Sequence, residues 1–258
     1  MKNHTKERLR TGSHTIGTFV EIGHPDVTEW LSRLGFDWIL LDAEHGPLDW
    51  QTLQVMMQSM KGSDSIPIVR PQWNDPVVIK RVLDIGASGV LVPWVNTRLE
   101  AEAVVRACKY PPEGLRGYGP RRAAILDPDY YQTANKEILI AVQVETQTAL
   151  DNLDDILSVD GIDACYIGPY DLSCSLGFGI PPRWEEPRYV AAFDRVLAVS
   201  RRHNKAAGMF TTYENLEWAI EKGFTFNSVD DADAFLTRGA KMALERYRRA
   251  VAKAHGTA

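Results

Sequence analysis

Only three cysteines occur in 258 residues, Cys108, Cys165 and Cys174, an odd number with no C-x-x-C pair. This excludes a disulfide framework and the common structural zinc sites, and it points to free thiols in a reducing, cytoplasmic setting. Long hydrophobic runs are missing as well. No stretch approaches the roughly 20 apolar residues that cross a bilayer, and residues 1–8 are polar with no apolar run behind them, so neither a membrane span nor a secretory leader is expected. There is no surplus of basic charge: 29 Lys and Arg against 34 Asp and Glu leave a net charge of -5, the wrong sign for a nucleic-acid partner. The densest basic cluster, Arg246, Arg248 and Arg249, lies in a helical pattern with Glu245 and reads as a solvated face or a subunit contact.

What the chain does have is a regular alternation. Short apolar runs at 16–20, 38–41, 66–69, 89–92, 138–144, 162–167, 206–210 and 224–229 are predicted strands. Between and after them, helical periodicity marks 51–60, 77–83, 99–108, 148–157, 189–202, 216–221 and 232–252. Strands separated by helices pair in parallel, because each crossover returns the chain to the same end. Eight such strands can close into a (β/α)8 TIM barrel or open into a doubly wound sheet. The open form usually carries G-x-G-x-x-G after strand 1, whereas here Glu21-Ile22-Gly23-His24-Pro25 follows. One closed barrel over residues 1–258 is therefore expected, with 1–14 a polar N-terminal extension. The longest irregular stretches, 110–129 and 168–187, are long enough to suggest functional loops.

Active sites of such barrels sit at the C-terminal ends of the strands. The polar residues there are Asp42, Glu44 and His45 after strand 2, Arg70 after strand 3, Gln143 and Glu145 on strand 5, Asp171 after strand 6, Thr211 and Thr212 after strand 7, and Asp230 and Asp231 after strand 8. Gln143 and Glu145 are two apart and so point to one side of the sheet. A glutamate buried in the barrel mouth is costly unless paired or bound to a metal. Glu145 and Asp171, with no histidine or cysteine on their strand ends, suit a hard cation such as Mg2+ or Mn2+. Each residue also has a plainer role open to it: Glu145 can pair with Arg70, Asp171 can cap the turn that follows it, and His45 can be an ordinary loop histidine.

These residues lie in longer motifs: Asp42-Ala43-Glu44-His45-Gly46-Pro47, Val69-Arg70-Pro71-Gln72-Trp73-Asn74-Asp75-Pro76, Leu91-Val92-Pro93, Tyr110-Pro111-Pro112-Glu113-Gly114-Leu115-Arg116-Gly117, Gln143-Val144-Glu145-Thr146 and Ile167-Gly168-Pro169-Tyr170-Asp171. From about residue 16 to 244 they resemble, in order, the HpcH/HpaI family of class II pyruvate aldolases. The resemblance implies a metal-dependent carbon–carbon lyase that splits a 4-hydroxy-2-keto acid into pyruvate and an aldehyde. It implies Glu145 and Asp171 as ligands of a divalent cation (Mg2+ or Mn2+, with Co2+ a further option), Arg70 on the keto and enolate oxygen, and Gln143, Gly168, Pro169 and Tyr170 against the substrate. His45, oriented by Asp42, becomes part of the acid–base machinery, and a homohexamer built as a trimer of dimers is implied too. Phe19, His24, Tyr118 and Thr212 are expected in the pocket wall, and Arg121 or Arg122 could meet an acidic aldehyde tail. Tyr170 departs from the family, which usually has a small residue or asparagine at that position.

A Schiff-base aldolase would need a lysine at a strand's C-terminal end; Lys136 and Lys205 both lie on the N-terminal side. The competing functions are a citramalyl- or malyl-CoA-type lyase, which needs a basic groove for phosphates, another enolate-forming enzyme on the same barrel, and a binding barrel without catalysis.

Overall fold

In a computed structural model describing residues 2–255, the eight strands close into one parallel barrel in chain order. They are β1 (Thr15–Val20), β2 (Trp38–Asp42), β3 (Ile66–Arg70), β4 (Gly89–Val92), β5 (Leu139–Val144), β6 (Ala164–Ile167), β7 (Ala206–Thr211) and β8 (Phe226–Asp231). β8 pairs with β1 to complete the ring. The expected barrel is thus observed. Residue 1 and residues 256–258 of the expected 1–258 span lie outside the described residues.

The period-2 alternation of each strand builds two separate cores. One set of residues, including Ile39, Leu41, Val69, Val90, Val142 and Val144, packs outward against the helices. The other set, including Phe19, Trp38, Leu40, Ile68, Leu139, Ala141, Tyr166 and Phe226, fills the barrel interior. The indole of Trp38 occupies the floor because Gly17 and Gly208 give it and its neighbours room. A Cβ on Gly17 would lie 2.1 Å from the Trp38 ring, and one on Gly208 2.1 Å from the Phe226 carbonyl oxygen. Continuing upward on the inward set, three strands reach polar residues: Asp42 follows Leu40, Arg70 follows Ile68, and Gln143 and Glu145 follow Ala141. Core and site are successive storeys of the same side-chain columns.

Several expectations of detail need correction. The N-terminal segment is a helix, His4–Arg10, capped by Asn3. Its Leu9 belongs to the interior core, Asn3 Nδ2 donates to the Ser88 carbonyl (2.9 Å), and Lys6 pairs with Asp163 (2.9 Å), so it closes the barrel floor. The expected helix at 148–157 is split into Gln147–Asp151 and Leu153–Leu157, because Asn152 interrupts it. The two long loops hold short helices, Ala123–Leu126 and Pro169–Ser175. Proline at the first helical position, where its missing N–H costs nothing, starts the helices Pro25–Ser32, Pro76–Asp84 and Pro187–Arg202. None of the helices among the described residues is long and apolar enough to cross a membrane.

Candidate active site

The C-terminal mouth of the barrel opens into a cleft of about 320 Å³, lined by Phe19, Glu21, His45, Arg70, Gln143, Tyr166, Gly168, Pro169, Tyr170, Asp171, Phe210 and Asp231. At its base is a chain of charged and polar groups. Asp42, fully buried, accepts from Arg70 through both carboxylate oxygens, at 2.8 Å from Nε and 2.6 Å from Nη2. The pairing follows from register, since Asp42 and Arg70 are direct neighbours on β2 and β3. Arg70 Nη1 faces Glu44 at 3.1 Å and Gln143 Oε1 at 3.5 Å, and the guanidinium lies 5.3 Å from the Phe19 ring. Bidentate geometry of this kind fixes the plane and direction of the guanidinium.

Glu145 is held just as firmly but without a cation. Its Oε1 accepts from the Trp94 backbone N–H (2.7 Å) and its Oε2 from Gln143 Nε2 (2.6 Å). Trp94 takes a left-handed conformation (φ 56°), which a non-glycine residue seldom adopts, and its N–H is the group that reaches Glu145. Burial, followed by the negative charges of Glu44 and Asp171, pushes the Glu145 carboxyl up to about 7. Glu44 is also raised by burial. Gly168 leaves the space these groups need, because a Cβ there would stand 2.8 Å from Gln143 Nε2 and 3.0 Å from Glu145 Oε2. Asp171 sits in the first turn of the helix Pro169–Ser175, exposed on the cleft, where the helix N-terminus favours an anion. This surplus of negative charge among hard oxygen donors fits a divalent cation on Glu145 and Asp171.

Other site expectations fall elsewhere. The Asp42 carboxylate serves Arg70, and toward His45 it accepts only the backbone N–H (3.4 Å). The imidazole is two-thirds exposed on the rim, with Nε2 4.0 Å from Glu44. Thr212 and Tyr118 are not among the residues lining the cleft. Tyr118 packs instead beside Tyr110 and Tyr131, and Thr212 N–H donates to Asn215 at 2.7 Å. His24 caps the helix Pro25–Ser32. Arg122 donates to the Ile85 and Met57 carbonyls at the far end of the barrel, away from any substrate tail. Tyr170 does line the cleft, 6.5 Å from Phe210 across a T-shaped contact.

Tyr166, Phe210 and Glu21, to which sequence reasoning assigned no role there, complete the lining together with Asp231, which the end of strand 8 had placed at the mouth. Glu21 was within reach, being one residue past β1 on the inward column that carries Gly17 and Phe19. Glu21, Asp231 and Asp233 place carboxylate oxygens within 4.8 Å of one another, a second acidic group able to hold a cation. Burial, then Asp42 and Asp231, push Glu21 up to about 7.

The model of one family, described as HpcH/HpaI aldolase/citrate lyase, matches residues 15–235. The chain belongs to that family. A 4-hydroxy-2-oxo-heptane-1,7-dioate aldolase of Salmonella dublin is 39% identical over 252 residues, covering 96% of this chain and 95% of the relative. A crystal structure of an HpcH/HpaI aldolase/citrate lyase family protein from Burkholderia cenocepacia J2315 superposes with a TM-score of 0.91 at 31% identity, covering 96% of this chain and all of that one. A structure titled citrate synthase superposes with a TM-score of 0.85 at 27% identity, covering 95% and 97%. The HpcH/HpaI relatives bear out the expected family and the expected reaction class, a carbon–carbon lyase of the aldolase kind.

Proposed function

We propose that this HpcH/HpaI member cleaves a 4-hydroxy-2-keto acid reversibly to pyruvate and an aldehyde, as a class II aldolase. The observation that carries the reading is the convergence of buried Gln143 and Arg70 with Asp171 on one cleft, with buried Glu145 directly behind Gln143, whose Nε2 donates to it at 2.6 Å. Glu145 and Asp171 would hold Mg2+ or Mn2+, which when bound supplies positive charge to the keto oxygen of the substrate. Arg70, held in plane by Asp42, donates to that oxygen as negative charge builds on it, and a preorganised donor of this kind stabilises the enolate without rearranging. Gln143 fixes the pyruvate end. In cleavage, His45 takes the proton from the C4 hydroxyl while the C3–C4 bond breaks and its electron pair passes into the enolate. The aldehyde leaves, and C3 regains a proton to give pyruvate. Among the described residues no lysine lines the cleft to support a Schiff base instead.

A CoA-type lyase is less well supported, because Arg70 and His45 are the basic residues of the cleft lining and Arg70 is already committed to Asp42 and Glu44. We also assign a homo-oligomer, with a hexamer as the family expectation. It is supported by the helix Ala232–Ala254, of which only Ala232 is buried while Leu236, Met242, Leu244 and Tyr247 are exposed. The free thiols Cys108, Cys165 and Cys174 accord with a cytoplasmic setting.

Exchange of pyruvate methyl protons in deuterated water, with and without Mg2+ or Mn2+, tests the reading. Glu145→Ala and Asp171→Ala are expected to abolish exchange, and His45→Ala to slow aldol cleavage by about 10²–10⁴-fold. Full activity of metal-stripped wild type in EDTA would overturn the assignment.

A further inference from the structure

The cleft has two chemically different sides. In a closed eight-strand ring β5 stands four strands from β1, so Glu145, behind Gln143, lies across the mouth from Glu21, whereas Asp171, past the end of β6, is three strands from β1 and two from β8. On the reading above, the β5–β6 side with Arg70 and Gln143 takes the 2-keto acid. The aldehyde is left with the side formed by β7, β8 and β1. There Phe19, Phe210 and Tyr170 give an apolar wall, and the polar groups are two carboxyls, Glu21 and Asp231.

The basic groups next to that side are already placed: Arg70, 5.3 Å from the Phe19 ring, is held by Asp42 and Glu44, and His45 is exposed on the rim. Glu21 Oε2 is shut off from solvent and has no hydrogen-bond partner. Asp231 accepts from the Ala234 N–H at 2.7 Å as cap of the last helix, which holds it in place. The neighbouring guanidinium, Arg238, is taken by Asp230 at 2.6 Å. Burial and the charges of Asp42 and Asp231 push the Glu21 carboxyl up.

We propose that Glu21 and Asp231 make the acceptor end of the cleft select neutral, hydroxyl-bearing aldehydes and reject aldehydes that end in a carboxylate. The inference rests on the aldolase reading and narrows it. A hydroxyl can donate to either carboxyl where its oxygens face the cleft. A carboxylate tail would instead bring a further like charge beside two acidic groups that are only partly screened by solvent. The Salmonella dublin relative is named for a heptane-1,7-dioate, a compound with a carboxylate at each end; this chain is therefore assigned a different acceptor.

The test is aldol addition by the metal-loaded, full-length protein at saturating pyruvate, comparing kcat/KM for glyceraldehyde and for succinate semialdehyde. Wild type is expected to favour glyceraldehyde by about tenfold or more, a like-charge penalty discounted for partial solvent access. Glu21→Gln and Asp231→Asn, the latter keeping a capping side chain, should each shrink that preference by roughly three- to tenfold, mainly through KM for the acidic aldehyde. A wild type that prefers succinate semialdehyde, or an aldehyde ratio unchanged in both variants, overturns the proposal. Methyl-proton exchange of pyruvate by wild type needs no aldehyde and separates the two levels. Exchange combined with the wrong aldehyde preference overturns the acceptor assignment alone, whereas absence of exchange overturns the aldolase reading and this inference with it.

Discussion

Asp42→Asn separates two roles for the residue, one read from sequence and one seen in the structure. If Asp42 orients His45, its loss acts on proton transfer; if it orients Arg70, its loss acts on the guanidinium. The geometry favours the second, with two hydrogen bonds of 2.8 and 2.6 Å to Arg70 against one backbone contact of 3.4 Å to His45. Removing one partner of a buried ion pair outright costs about 3–5 kcal/mol. Asparagine keeps one acceptor and the shape, and Arg70 keeps Glu44 at 3.1 Å, so the expected loss of stability is about 2–3 kcal/mol. For a chain of this size that is a fall in Tm of roughly 4–12 °C. Loss of a fixed donor on a developing oxyanion lowers turnover by about 10²–10³-fold, readable by coupling pyruvate release to NADH oxidation with lactate dehydrogenase. The decisive measurement is a double-mutant cycle with Arg70→Lys. Residues acting as one unit are strongly non-additive. If the two effects on kcat/KM simply add, within about 0.5 kcal/mol, Asp42 does not work through Arg70 and the reasoning fails.

Two further outcomes are open to measurement. Gly168→Ala should fold but lose at least about tenfold in kcat/KM, since its Cβ meets Gln143 Nε2 at 2.8 Å and Glu145 Oε2 at 3.0 Å and an ångström-scale displacement of positioned groups is costly; wild-type kinetics would show that the pair yields freely. Glu21, whose folded pKa of about 7 lies above its ordinary 4.5, favours folding fully below pH 4.5 and loses that contribution as pH rises through 7. Metal-free Glu21→Gln should therefore match wild type at pH 4.5 and exceed its stability by about 1–2 kcal/mol at pH 8, a figure reduced for partial solvent screening; equal denaturation midpoints at pH 8 would refute it.

The barrel was legible in the sequence because its strands are short apolar runs, buried on both faces, that alternate with helical periodicity, and the strand ends then pick out Arg70, Gln143, Glu145 and Asp171 as residues of one mouth. The N-terminal helix was not legible, because of its residues only Thr5 and Leu9 are buried and a single turn-spaced pair is too weak a signal. Asp42 was placed at the site, where the resemblance implied that it orients His45, whereas strand register puts Arg70 directly beside it. Glu21 and Asp231 were visible as charged residues at strand ends. Their meeting depends on β8 closing onto β1, which is a fact of ring closure and carries no local sequence signal. Tyr118, Thr212 and His24 were assigned from the resemblance, and in this chain their contacts lie outside the cleft.

The shared columns of β2, β3 and β5 govern how this protein can change over time. Inserting or deleting one residue in β5 would turn Gln143 and Glu145 outward and present Val142 and Val144 to the mouth, while emptying the interior of Leu139 and Ala141. Such a change destroys foldability and chemistry together, so no lineage can pass through a folded but inactive intermediate by that route. Glu21 and Asp231 at the tops of β1 and β8, and Tyr170 beyond β6, can be exchanged without shifting the register of any strand. Drift in what the enzyme accepts can accumulate there by single substitutions, while the pyruvate half of the site stays locked to the survival of the barrel itself.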